Sequence, residues 1–159
     1  MSSDYHELLA RAVQQHHVAV HLLTVTFPLA KEPKLLLGIT FNLTSAMEYA
    51  IEALLAYERK LGLISAYAEE LDFKGKLRLF KERCMVRNKI PVKYLHLLSQ
   101  MHHLQQLHKT CPTEFQRGNK LVMCTSRYEM HTVSINDIKN YVSETREFVE
   151  MIGRIMNKG

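Results

Sequence analysis

Apolar residues recur about once per helical turn along four long stretches of this chain. Over about residues 3–26, Leu9, Val13, His16, Val20 and Leu23 fall at spacings of four and three, one stripe of an amphipathic helix. Ser3 and Asp4 stand where an N-cap belongs. The stretch "TFPLAKEPK" breaks the pattern. Pro28 and Pro33 each disfavour helix at the residue before them, which predicts a bent connector. From Lys34 to Leu61, the positions Leu36, Ile39, Leu43, Ala46, Ala50, Leu54, Tyr57 and Leu61 make a long stripe. Leu37, Phe41, Thr44, Ile51 and Leu55 make a second one beside it. Two stripes predict a helix covered on two sides, the centre of a bundle. Small Ala46, Ala50 and Ala53 admit a close neighbour, and Gly62 ends the helix.

Residues 64–89 read as a short helix, "SAYAEELD", and a second, "FKGKLRLFKERCMVRNK". Gly75 weighs against continuity, while Leu77, Phe80 and Cys84 mark an apolar side. Pro91 suits a first helical position, and Tyr94, Leu97, Leu98, Met101, Leu104 and His108 form the stripe to about Lys109. "KTCPTEFQRGN" is a connector with a Gly-Asn turn. "KLVMCTSRYEM" admits a short β-like excursion. The last helix has the clearest start, with Ser134 three residues before Asp137 in the manner of a capping box. Ile138, Val142, Thr145, Val149, Ile152 and Met156 form its stripe, flanked by Tyr141 and Phe148, and Arg154 and Lys158 close it. Such stripes are stable only when buried on one another. The expectation is an all-α fold, an up-and-down bundle of four to five helices forming one domain over residues 1–159.

Composition adds limits. A chain of 159 residues with 47% hydrophobic and 23% charged residues is ordinary for a globular domain. Cys84, Cys111 and Cys124 are far apart and odd in number, so neither a zinc knuckle nor a disulfide framework is indicated. No apolar run reaches the roughly 18–20 residues that span a bilayer, and the N-terminus lacks the apolar core of a signal peptide. The expectation is a cytoplasmic protein without a membrane segment. His17 and His21 share a helix face, but no H-E-x-x-H supplies a third ligand, so no metal and no cofactor are expected. His102 and His103 point to different faces. P-loop, G-x-G-x-x-G, G-x-S-x-G and Ser-x-x-Lys patterns do not occur. Glu48 and Glu52 lie one turn apart on the central helix, as surface or boundary residues.

A net charge of +5 permits an acidic partner without identifying it. The charge is unevenly spread. Lys74, Lys76, Arg78, Lys81, Arg83, Arg87, Lys89 and Lys93 stand against one acid, Glu82. Such a cluster suits phosphate contacts with RNA, and Phe73, Phe80 and Tyr94 are near enough in sequence to stack bases. The alternative is a solvated helix face whose aromatics belong to the core. A second candidate is Arg127 with His131, beside Tyr128. An arginine stabilises phosphorane-like charge and a histidine moves protons near neutral pH, so the pair suits metal-independent RNA cleavage through the 2′-hydroxyl. The alternative is a hydrogen-bonded hinge before the last helix.

The order "LLARAVQQHHVAVHLL", "LLLGITFNLTSAMEYAIEALLAYERKLGLI", "FKGKLRLFKER", a further helix, and "SRYEMHTVSINDIKNYVSETREFVEMI" resembles the HEPN superfamily of small helical bundles. Ala53–Leu55 with Gly62, and Arg127, Tyr128, Ser134, Phe148, Val149 and Ile152, carry the likeness. The resemblance implies a dimerising bundle, RNA-associated or scaffolding and non-catalytic. Alternatives it implies are a toxin-like endoribonuclease and a protein partner of a nucleotidyltransferase-type protein. Active members place a longer spacer between arginine and histidine than the three residues separating Arg127 from His131. Arg87-Asn88 copies the "RN" that often opens their motif, with His96 the next histidine.

Overall fold

The Asp4 side chain accepts a hydrogen bond from the His6 N–H at 2.9 Å and so starts the first helix, α1 (Tyr5–His21). The computed structural model describes residues 4–157. The other cap candidate, Ser3, and the closing cation Lys158 lie outside the described residues. Helix α1 runs through a π-helical turn (Leu22–Thr26) into the short α2 (Phe27–Ala30), where Pro28 occupies the first turn and its missing N–H costs little. The chain bends instead at Lys31, whose φ of 51° is left-handed. The predicted bend therefore falls at Lys31–Pro33, past Pro28.

Helix α3 (Lys34–Lys60) is the axis of the fold. Leu36, Ile39, Leu43, Ala46, Ala50 and Leu54 of its predicted stripe are fully buried, whereas Leu61, just past its end, is 52% exposed. In the second stripe Phe41 is 62% exposed, so that stripe is interrupted. Helix α1 lies along α3 with Leu8, Ala12, His16, Ala19 and Leu23 inward. This is one position off the expected Leu9, Val13 and Val20, which form its rim. The cause is small Ala12 and Ala19: they add little to a hydrophobicity pattern, yet they let two helix axes approach closely.

A rod of α4 (Phe73–Leu79), a π-helical turn (Phe80–Cys84) and α5 (Met85–Asn88) follows a 3₁₀ turn at Ala66–Glu70. Gly75 does not break it. The Asp72 side chain accepts from the Gly75 N–H at 2.8 Å, and a Cβ on Gly75 would stand 3.2 Å from that same oxygen. Helix α6 (Lys93–Thr110) then packs on α3 through Tyr94, Leu97, Leu98, Met101, Leu104 and Leu107. His108, expected in that stripe, is exposed.

The fold is mostly helical as expected, and the β-like excursion read at residues 120–130 is part of a small sheet between α6 and the last helix. Strands β1 (Thr113–Arg117), β2 (Lys120–Cys124) and β3 (Met130–Ser134) form an antiparallel meander. Gly118, at φ 61°, makes the two-residue turn that pairs Arg117 with Lys120. Leu121, Met123 and Val133 join the common core from one face of the sheet. The reciprocal cap is present: Ser134 Oγ accepts from the Asp137 N–H at 3.1 Å, and Asp137 Oδ2 accepts from the Ser134 N–H at 2.9 Å. Helix α7 (Ile135–Asn157) buries its whole predicted stripe, together with Phe148, on which Phe80 and Tyr94 converge at 6.2 and 5.2 Å. Among the described residues no helix is long and apolar enough to cross a membrane.

His16 joins α1 to α7, its Nε2–H donating to the Val142 carbonyl at 3.0 Å. Burial pushes the imidazole pKa down. The Val142 carbonyl opposes that shift, while Arg146 and His17 add to it. The folded state therefore holds His16 neutral while the unfolded chain takes up a proton near pH 6.5. We expect the stability this group supplies to be intact above about pH 6.5 and lost as pH falls through the lower folded-state pKa. Urea melts of wild type and His16→Gln across pH 5–8 check this, the variant showing a shallower decline on the acid side.

Candidate nucleic-acid interface

Folding divides the basic block of residues 74–93 by what each side chain meets. Lys76 Nζ donates to Glu52 Oε1 of α3 at 2.7 Å. Arg87 pairs with Glu58, and Lys93 lies 3.7 Å from Glu147. These three charges are neutralised within the fold. Lys74, Arg78 and Lys81 form no ion pair among the described residues. All three border one groove of the rod, and so form one ridge. Arg83 and Lys89 are exposed outside that ridge.

The ridge borders a groove of 540 Å³ between the rod and α6. Leu77, Leu95 and Leu98 line it with Ser99 and His102, and Glu82 is the single acid on its rim. His102 Nε2 lies 3.0 Å from Glu48 Oε1 of α3. The two carboxylates of the central helix thus act separately, Glu48 with His102 and Glu52 with Lys76. The aromatic expectation for this region is corrected. Phe80 is fully buried, Tyr94 is 4% exposed and Phe73 packs against the core, so none of the three offers a free stacking face to the groove.

Sequence reading missed Glu58, which is 1% exposed. Its carboxylate accepts from Arg87 Nη1, from Asn88 Nδ2 at 2.8 Å and from the Cys84 thiol at 3.2 Å. Burial pushes the Cys84 pKa up strongly, and the Glu58 charge adds to the shift, so the thiol is not a nucleophile. A signal was present: Glu58 stands three residues after Leu55, where the second stripe would continue with an apolar residue. Arg87 Nη2 also reaches the Leu63 carbonyl at 3.4 Å. The cluster ties the rod to the end of α3.

Arg127 sits exposed in the β2–β3 turn, where Thr125 Oγ1 accepts from its N–H at 3.3 Å, and Tyr128 beside it has φ 65°. His131 pairs with Met123 on the core-facing side of β3, its ring 5.5 Å from the ring of His103 on α6. No hydrogen bond among the described residues joins Arg127 to His131. In the same cross-strand row Glu114 Oε1 lies 2.6 Å from His108 Nδ1. His17 lines a shallow groove between α1 and α7 with Arg146 and Glu150, and His21 is exposed at the end of α1. Among the described residues no cluster of three or more His, Cys, Asp or Glu is placed to hold a metal ion.

Removing Arg87 leaves a buried carboxylate without its cation, so Arg87→Ala should lower unfolding free energy by about 3 kcal/mol. Lys93→Ala, which removes an exposed partner of Glu147, should change it by less than about 1 kcal/mol. Denaturant titrations of the two variants check the contrast. Compared with models of known families, with curated proteins and with solved structures, the chain finds no match in any of the three.

Proposed function

We propose that this protein is an HEPN-like helical module that binds single-stranded RNA without cleaving it. The observation that carries the reading is the ridge of Lys74, Arg78 and Lys81, three cations without an ion pair beside a groove while Lys76 and Arg87 of the same block are paired with carboxylates of α3. Phosphate binding at such a site gains from counterion release and needs no special geometry. A groove bounded by two helices suits one strand. The long central helix and the capped last helix support the HEPN-like reading, as does the Arg87-Asn88 pair.

Filter binding of labelled single-stranded RNA at 50 and 200 mM salt tests this. Three phosphate contacts correspond to a slope of about −2 in log affinity against log salt, an affinity loss of about twentyfold between those conditions. The triple variant Lys74→Ala, Arg78→Ala, Lys81→Ala should flatten that slope, and Arg83→Ala should reduce it by less. Absent or salt-independent binding by wild type overturns the RNA reading and favours a protein-binding module.

The endoribonuclease alternative draws support from His131, whose ring meets that of His103, since two adjoining imidazoles suit proton transfer. RNA incubated in EDTA with wild type should remain intact. Cleavage by wild type that His131→Ala abolishes would replace the binding reading with the catalytic one.

A further inference from the structure

We infer that the groove beside the Lys74–Lys81 ridge is a nucleobase site: it takes one unstacked base of the bound strand on an aliphatic floor while the ridge holds the phosphates around it. This rests on the RNA reading above and adds what the strand presents to the protein. Lys81 is seven positions on from Lys74, which is about 10 Å along a helix. Stacked nucleotides advance about 3.4 Å each, so three charges over that length address more than one phosphate of a single strand.

Purely electrostatic binding would be served by a flat cationic ridge. Here the ridge borders an open groove of 540 Å³ between the rod and α6. The apolar surface it offers comes from half-buried Leu77 and Leu95, Leu98 itself being buried at 1% exposure. Unstacked bases are held between apolar as well as aromatic side chains. Leu95, Leu98, Ser99 and His102 share one face of α6 at helical spacing. The polar pair thus sits beside the leucines, where the edge of a base held on them would project. Glu48 accepts from His102 Nε2–H at 3.0 Å, which holds the ring in place. An aliphatic surface with polar groups at its edge suits a base, and the cationic border suits the phosphates on either side of it.

The test compares two probes of equal charge and length by fluorescence anisotropy with the full chain: an oligoadenylate of eight nucleotides, and the same ribose-phosphate chain without bases. Wild type should bind the base-bearing oligomer about tenfold more tightly. Ser99→Leu fills the hollow at an exposed position and changes no charge; its circular dichroism melt verifies the fold. It should bring the base-bearing oligomer down to the affinity of the abasic one and leave the latter unchanged. Equal wild-type affinity for the two probes overturns the base site and leaves the phosphate ridge standing. Failure of both probes to bind overturns the RNA reading as well.

Discussion

Helix α3 hides sixteen of its twenty-seven residues from solvent, and that demand organises everything around it. A helix apolar on most sides must be covered on most sides. Helices α1, α6 and α7 each contribute one stripe to that cover, and the α4–α5 rod closes a further side through Phe80 and Cys84. Close packing then decides where charge can go. Charged groups are pushed to the rims between helices, where Glu52 meets Lys76 and Glu48 meets His102. Glu58 is the exception, drawn inside because Arg87, Asn88 and Cys84 together supply its hydrogen bonds.

The parts of the fold legible in the sequence are those where a large side chain marks each inward position. Helix α7 reads directly, from its Ser134–Asp137 box to Met156. So does most of α3. Helix α1 reads as a helix with His16 and Leu23 inward as expected and the other three positions displaced by one residue to Leu8, Ala12 and Ala19, because alanine carries little weight in a hydrophobicity pattern. The meander was obscured for a different reason. Leu121, Val122 and Met123 are consecutive and all buried, a run too short for its period to be read. The Gly118-Asn119 turn and the β-like stretch from Lys120 to Met130 pointed to a hairpin, and nothing marked β1.

The candidate interface was half legible. Eight cations in twenty residues are visible in any linear reading. Which of them face a carboxylate is not, since Lys76 and Glu52 are 24 residues apart and Arg87 and Glu58 are 29 apart. Ion pairing across the bundle sorts a uniform-looking block into structural cations and uncommitted ones. The same sorting applies to the aromatics. Phe80 and Tyr94 lie within or beside the basic block, yet both serve Phe148 at the core.

The π-helical turn at Phe80–Cys84 gives this division of labour a geometric basis. A wide turn accommodates one extra residue in a helix and so resets the angular phase of all that follows. Lys74 and Arg78 lie before the reset, and Arg87 and Asn88 lie after it. The rod's two ends are therefore aimed independently, one at the groove and the other at the interior carboxylate. Deleting a single residue within the wide turn would rotate the downstream end by about 100° relative to the upstream one. The rod could then satisfy one destination only, so the length of this segment is as constrained as the identity of the residues in it.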